Sequence, residues 1–229
     1  MARRLTIDIW SDVMCPWCLV GYGKLQKGLE LLGGEIEADI RWHAFELNPD
    51  MPPEGEERSE HIARKYGRTL EQAHGAQDQM RTAAQDAGVS LDYSGAKGDN
   101  GDPPPAMMWN TFDAHKLLLW ALESAGPEAQ NRLKLALFDA HFGQRRNLGD
   151  HEVLIDIAAG AGLDREAAAA ALVSNELSAY VRAEEQAAYD MNITGVPAML
   201  IEGKYLIPGA QEPEVYANAL RRVAERTEA

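Results

Sequence analysis

Cysteine is scarce in this sequence: its 229 residues include only two, Cys15 and Cys18. Two cysteines cannot form a disulfide framework. A structural zinc site needs four ligands, and the six histidines are scattered without a close-spaced pair. We therefore predict no metal site. Two interpretations of the cysteine pair stay open, a redox-active pair and a redox-inert buried pair.

Long apolar runs are also absent. The run Leu5–Trp10 is interrupted by Asp8 and is too short for the hydrophobic region of a secretory signal. No stretch approaches the roughly 18–20 apolar residues that a membrane-spanning helix needs. We therefore expect a cytoplasmic protein that does not associate with membranes.

Basic residues are few compared with acidic ones. The chain has 22 lysines and arginines against 36 aspartates and glutamates, which gives a net charge of −14. A chain of this charge repels phosphate backbones and anionic lipids. We expect no binding to nucleic acids. Nothing in the composition distinguishes a monomer from a homodimer.

The order of predicted elements indicates an α/β fold. Leu5–Trp10 alternates apolar and polar residues as a strand does, and Ile36–Phe45 is a second predicted strand. The helix between them begins at Pro16. Two short strands, Ala198–Ile201 and Tyr205–Ile207, return near the end of the chain before a final amphipathic helix. The two ends of the sequence therefore predict one β-α-β unit and one β-β-α unit.

A long helical segment separates these units. Alanine, glutamate, glutamine and leucine dominate it at helical spacing. One of its predicted helices is Ala106–Ser124, because Pro103–Pro105 is a favourable helix start. We predict an α/β domain formed by residues 1–51 and 193–229, with an all-helical domain, residues 52–192, inserted into it.

The cysteine pair lies where the first strand meets the first helix. Proline is favoured at the first helical position, so Pro16 places Cys15 at the N-cap. Unpaired N–H groups and the helix dipole there favour a thiolate, which is the nucleophilic form of cysteine. Cys18 follows on the same helical face, at a Cα separation of roughly 5–6 Å that permits a disulfide. We predict that Cys15 attacks and that Cys18 resolves.

Several motifs resemble those of the DsbA family and its FrnE-like cytoplasmic branch. They are Trp-Ser-Asp-Val-Met-Cys-Pro-Trp-Cys at 10–18, Gly195-Val196-Pro197, Asn48-Pro49, Asn110 with His115-Lys116-Leu117, and Pro208-Gly209-Ala210-Gln211. The resemblance covers nearly the whole chain. It implies a thioredoxin fold with an inserted helical domain and a cis Val196–Pro197 bond beside the cysteines.

The residues and the resemblance together predict a set of substrate-binding residues. They are Val196, Pro197, Trp17, Asn48, Asn110 and His115. The residues alone leave alternatives open for most of them. Trp17 is either an exposed lid or a packed side chain, and Asn48 is either a turn residue before proline or a pocket residue. Asn110 and His115 lie on an apolar helix, where buried structural polar residues are the alternative to ligands.

The predicted function is thiol–disulfide exchange on protein or small-molecule disulfides. No cofactor is expected, with glutathione as the candidate redox co-substrate. Two alternatives stay open. One is a glutathione-dependent isomerase like 2-hydroxychromene-2-carboxylate isomerase, whose members typically carry serine where Cys15 stands. The other is a chaperone-like binding module without turnover.

Overall fold

The computed structural model describes residues 2–67, 69–98 and 100–226. The strands among these residues form two β-sheets. The strands are β1 (Arg3–Ser11), β2 (Ile36–Ala44), β3 (Glu56–Glu57), β4 (Met107–Met108), β5 (Ala198–Ile201) and β6 (Tyr205–Pro208). The main sheet has the order β2-β1-β5-β6. Strand β1 is parallel to β2 and antiparallel to β5, and β5 pairs with β6 in an antiparallel hairpin.

Helices follow the strands in the predicted order. Those of the described residues are α1 (Pro16–Leu31), α2 (Arg58–Tyr66), α3 (Leu70–Ala87), α4 (Phe112–Ala125), α5 (Pro127–Phe138), α6 (His151–Gly160), α7 (Arg165–Leu172), α8 (Asn175–Asp190) and α9 (Pro213–Arg226). A π-helical turn, Asp139–Gly143, continues α5. Helices α2 to α8 all lie between β2 and β5, so the predicted α/β fold with a helical insertion is confirmed. The domain boundaries at residues 51 and 193 stay predictions, and residues 1 and 227–229 lie outside the described residues.

One predicted helix begins later than expected. The prediction of a helix over Ala106–Ser124 was wrong at its start, because α4 begins at Phe112. Met107–Met108 is extended instead and pairs with Glu56–Glu57 in an antiparallel ladder. This non-local pairing outweighs the local preference for helix after a proline run.

Strand β1 carries the centre of the main core. Leu5, Ile7 and Ile9 are buried, because alternate side chains of a strand point to the same face. They belong to one apolar cluster with Tyr216 and Leu220 of α9. Helix α1 packs against α9 and α3. The core therefore fixes the end of β1 and the start of α1, where the two cysteines lie.

The helical insertion is joined to the sheet at its edge strand. The Oε1 atom of Gln130 on α5 accepts a 2.8 Å hydrogen bond from the backbone N–H of Trp42 on β2. The Nε2 atom of Gln130 donates a 2.7 Å hydrogen bond to the carbonyl of Trp42. The Trp42 side chain also donates from Nε1 to Oδ1 of Asn131 at 2.9 Å. A fully buried glutamine thus satisfies edge-strand backbone groups that would otherwise be unpaired.

No helix in the described parts of the chain is both long and apolar enough to cross a lipid bilayer.

A charged cluster ties the outer part of the sheet to α8. His43 of β2 lies between two carboxylates: its Nδ1 is 2.7 Å from Oε1 of Glu184, and its Nε2 is 2.9 Å from Oδ1 of Asp8. The imidazole also stacks on Trp10 with ring centroids 4.9 Å apart. Burial acts to lower the pKa of His43, but the hydrogen bonds with Asp8 and Glu184 outweigh it and raise this pKa to about 9.

We expect the free energy of unfolding to depend on pH through His43. Its pKa is about 9 in the folded chain, against 6.5 as its ordinary value. The stabilisation is therefore fully present below about pH 6.5 and is lost as the pH rises through 9. It amounts to at most about 3 kcal/mol. Denaturant unfolding of the native protein between pH 6 and about 9.5 should show this decline.

The variant His43→Gln isolates the effect, and His151→Gln, which removes an exposed histidine, is its matched control. The decline in unfolding free energy should be shallower in His43→Gln and unchanged in the control. Parallel pH profiles for the native protein and His43→Gln would contradict the assignment.

Candidate active site

The cysteine pair occupies the start of α1, as predicted. Cys15 is the N-cap residue with extended backbone angles, φ −86° and ψ 110°, and Pro16 is at the first helical position. The N–H of Cys18 donates to the carbonyl of Cys15 at 3.1 Å, which closes the first turn. Both thiols are free in this structure. The helix start therefore holds two reduced sulfurs on one short turn.

The two cysteines differ in access. Cys15 retains 4% of its surface and lines a cavity, whereas Cys18 is fully buried at 0% behind it. The Sγ atom of Cys15 is 3.6 Å from the carbonyl oxygen of Val196. The Val196–Pro197 bond is cis, as the resemblance implied. Cys15 is thus the sulfur that a molecule in the cavity reaches first.

Close packing on α1 brings the Val196–Pro197 loop to the cysteines. A Cβ atom added at Gly21 would lie 3.0 Å from Cγ of Pro197 and 3.5 Å from the side chain of Ala210. The 3.5 Å contact is an ordinary van der Waals distance, but the 3.0 Å contact requires Pro197 to move by a few tenths of an ångström. A glycine one turn beyond Cys18 therefore allows the loop to rest on the helix, with Val196 facing Cys15.

Asp12 connects the turn before α1 to the loop after β2. Its buried carboxylate accepts hydrogen bonds from the N–H of Met14 at 3.0 Å and from the N–H of Leu47 at 2.7 Å. Burial raises the pKa of Asp12, although these backbone hydrogen bonds act to lower it. The sequence analysis did not include Asp12 among the site residues. It fixes Leu47, and with it the neighbouring Asn48, on the wall of the cavity.

The thiols titrate as a coupled pair rather than as independent groups. The interaction with the Cys18 thiol, together with burial, raises the pKa of Cys15 well above its usual range. Burial acts to raise the pKa of Cys18, but the hydrogen bond with Cys15 and the charge of Lys134 contribute to lowering it. The first thiolate is therefore shared within the pair and drawn toward Cys18. This differs from our expectation that the helix end alone would favour a thiolate on Cys15.

Lys134 supplies the positive charge behind the pair. It is fully buried on α5, and its Nζ has no hydrogen-bond partner among the described residues. The Nζ atom lies over two aromatic rings, 5.1 Å from the centroid of Trp42 and 5.0 Å from that of Phe138. Burial lowers the pKa of Lys134 to about 8, against the opposing effect of the charges on Cys18, Asp12 and Cys15.

The cavity in front of Cys15 has a volume of about 450 Å³, within the range of roughly 300–1,000 Å³ that is usual for small-molecule sites. Three of the predicted substrate-binding residues line it: Trp17, Asn48 and Val196. Trp17 is 42% exposed and is therefore not a fully packed side chain, and its role as a lid stays a prediction. The amide oxygen of Asn48 is occupied by Nζ of Lys65 at 2.7 Å and by Nε2 of His61 at 3.0 Å.

Asn110 and His115 do not line this cavity. Asn110 donates to Oε1 of Glu46 and to the carbonyl of Pro49, each at 3.3 Å, and accepts from the N–H of Phe112. His115 is buried, which holds its pKa well below its usual range. Asn110 thus supports the loop after β2 from behind, and a substrate-binding role for either residue stays a prediction without a contact to this cavity.

The charged residues of the site were not predicted from the sequence. Lys134 had a local signal, since it follows the buried Gln130 by four residues and precedes Phe138 by four on an amphipathic helix. Arg58 and Arg145 had none, because only the fold brings them to the cavity. Among the described residues no group of three or more histidine, cysteine or carboxylate side chains is placed to hold a metal ion.

Comparisons with known proteins match this arrangement. The family described as DSBA-like thioredoxin domain matches residues 6–221. The crystal structure of a probable DsbA oxidoreductase from Streptomyces coelicolor has a TM-score of 0.82 and 30% identity, and the match covers 95% of this chain and 89% of that one. The Bacillus subtilis protein YwbO is 27% identical over 216 residues, which are 93% of this chain and 94% of YwbO.

A more distant structure shares the fold. The cytosolic disulfide reductase DsbM from Pseudomonas aeruginosa, solved with GSH, has a TM-score of 0.60 and 18% identity, over 96% of this chain and 100% of that one. The predicted thioredoxin fold with a helical insertion is therefore confirmed.

Replacing Lys134 with methionine should raise the first pKa of the cysteine pair. The charge of Lys134 acts to lower the pKa of Cys18, and methionine removes that charge while filling similar volume. Burial of the ammonium also destabilises the fold, because it shifts the pKa of Lys134 from 10.5 to about 8. The variant should therefore gain up to about 3 kcal/mol of unfolding free energy at pH 7. Thiolate absorbance against pH measures the first effect, and denaturant unfolding the second.

Lys204→Met, at an exposed turn, is the matched control and should change neither quantity. A Lys134→Met protein that is more stable but has an unchanged thiol titration would show that Lys134 does not act on the cysteine pair.

Proposed function

Because the chain belongs to the DSBA-like thioredoxin domain family, we propose that it is a thiol–disulfide oxidoreductase that acts through Cys15 and Cys18. One observation carries the proposal. The N-cap sulfur of α1 borders a cavity beside the Val196 carbonyl, and a second sulfur one turn later is fully buried behind it. Thiol–disulfide exchange needs this combination of an accessible thiol and a shielded one.

The proposed reaction has two exchange steps. The thiolate of Cys15 attacks one sulfur of a substrate disulfide, forms a mixed disulfide and releases the other substrate sulfur as a thiolate. Cys18 then attacks Sγ of Cys15 and releases the second substrate thiol. The interaction with Cys18, together with burial, raises the pKa of Cys15, so the pair must lose a proton before Cys15 can attack.

We infer the direction of electron flow from the charges around the pair together with the redox state of the glutathione pool. Lys134 favours a thiolate and hence the reduced enzyme, which makes the disulfide form oxidising. A cytoplasmic location, which we also propose, would keep such a pair mostly reduced through the glutathione pool. We therefore propose that the protein reduces or isomerises disulfides. Glutathione is the candidate redox co-substrate, and the related fold of DsbM has been solved with GSH.

The two alternative functions differ in their need for the cysteines. A glutathione-dependent isomerase of the 2-hydroxychromene-2-carboxylate isomerase type typically has serine at the position of Cys15, so its activity would survive Cys15→Ser. A chaperone-like binding module would survive the loss of both thiols. The presence of both cysteines beside one cavity favours exchange over either alternative.

The variant Cys18→Ser should accumulate a mixed disulfide on Cys15 during insulin reduction. The first exchange step remains available, but the resolving thiol is gone. Intact mass and peptide mapping identify the adduct. The matched variant Cys15→Ser, which keeps the buried Cys18, should form no adduct and should reduce insulin no faster than buffer.

Adducts on Cys18, or insulin reduction that persists in Cys15→Ser, would refute the proposed roles. Glutathione-dependent isomerisation that persists in Cys15→Ser would favour the isomerase instead.

A further inference from the structure

The lining of the cavity beside Cys15 carries more basic than acidic side chains, although the protein as a whole is acidic. Four cationic side chains line the cavity, Arg58, Lys65, Arg81 and Arg145, against one carboxylate, Asp92. The whole chain has 36 acidic and 22 basic residues. We call these four residues the basic wall. The basic wall is positively charged although the protein as a whole is negatively charged. This contrast indicates that the site requires positive charge.

Two members of the basic wall are already engaged. Arg81 is 2.8 Å from Oδ1 of Asp92 and 3.2 Å from Oδ1 of Asp78. Lys65 donates to the carbonyl of Leu47 at 2.8 Å and to Asn48. These contacts orient Arg81 and Lys65 at the exposed rim. The two half-buried arginines are different.

Arg58 lies at the first turn of α2 with its Nε atom buried and without a hydrogen-bond partner among the described residues. Its backbone is fixed by a 2.8 Å hydrogen bond to the carbonyl of Ala106. Neither Arg58 nor Arg145 forms an ion pair within the described part of the chain. A guanidinium that is partly removed from water and has no counter-charge is costly, so the site favours an anionic ligand.

Arg145 is oriented by its left-handed backbone conformation and by a contact with the ring of Tyr93. It follows the π-helical turn and has a left-handed backbone, φ 52°. Such a conformation is uncommon for a residue other than glycine and occurs often at functional sites. Its guanidinium lies 5.0 Å from the centroid of Tyr93 and donates to the carbonyl of Pro104. Arg58 and Arg145 line the same cavity, and burial together with Coulomb repulsion from Arg145 lowers the pKa of Arg58.

We propose that Arg58 and Arg145 bind a carboxylate of a small-molecule disulfide whose S–S bond faces Cys15. This inference rests on the proposed function and names its substrate class. A guanidinium matches a carboxylate in geometry and charge. A small molecule is favoured over a protein segment because both arginines are half-buried in the lining of a cavity of about 450 Å³.

In one turnover the atoms, electrons and protons of the proposed reaction balance without an additional reagent. The reduced pair carries two electrons and two protons. Cys15 takes one half of the disulfide RSSR′ as a mixed disulfide and releases R′SH. Cys18 then displaces RSH and leaves the Cys15–Cys18 disulfide. A carboxylate on R or R′ stays bound to the arginines while the sulfur bonds exchange.

The test compares two disulfides in single-turnover oxidation of the reduced protein. Glutathione disulfide carries carboxylates, and 2-hydroxyethyl disulfide carries no charge. The measured quantity is the second-order rate constant for glutathione disulfide divided by that for 2-hydroxyethyl disulfide. Each rate constant is obtained from the loss of free thiol with time. Arg58→Gln and Arg145→Gln should each lower this ratio by about tenfold, as expected for the loss of one charge-assisted hydrogen bond. The matched control Arg221→Gln removes an exposed arginine on α9 and should leave the ratio unchanged.

The outcomes separate this inference from the proposed function. If neither disulfide oxidises the native protein through Cys15, the proposed function itself fails. If both do and the ratio in the two arginine variants equals that of Arg221→Gln, only the carboxylate site is refuted. The small-molecule assignment would be overturned if the two arginine variants react more slowly with the disulfide of a longer acidic peptide but react normally with glutathione disulfide. Because Arg58 and Arg145 are on different elements, misfolding of one variant leaves the other as a test.

Discussion

The two hydrogen bonds between the side chain of Gln130 and the backbone of Trp42 join the helical insertion to the sheet. An edge strand presents N–H and carbonyl groups that must find partners when they are buried. Gln130 supplies both partners from α5, so the insertion has one fixed register on β2. Four residues later, the same helix places Lys134 behind the cysteine pair. A contact that satisfies the fold thus also sets the charge at the site.

The cysteine pair consequently lies between two sources of positive charge. Lys134 is fully buried and acts on the thiolate through the protein interior, where Coulomb interactions are stronger than in water. Arg58 and Arg145 line the cavity that Cys15 borders. Lys134 therefore acts on the reactive sulfur, and the arginines act on what approaches it.

The sequence determined the local features of this arrangement. Pro16 after Cys15 predicted the N-cap, and strand alternation predicted β1, because both depend on neighbours along the chain. The start of α4 was mispredicted because Met107–Met108 pairs with a segment about fifty residues earlier. Contacts between residues far apart in the sequence also determine how the two cysteines share the first thiolate and where Arg58 and Arg145 lie. Only Lys134 left a pattern, as a lysine on a helical stripe of buried residues.

The central claim is that Cys15 is the exchanging thiol and Cys18 the shielded one. Solvent access and electrostatics favour different sulfurs here. Burial excludes reagents from Cys18, although the charges of the site draw the first thiolate toward it. The most direct measurement is site-resolved alkylation of the reduced native protein by iodoacetamide at pH 7, read by peptide mass spectrometry. The account predicts that Cys15 is modified far faster than Cys18. Equal rates, or faster modification of Cys18, would contradict it.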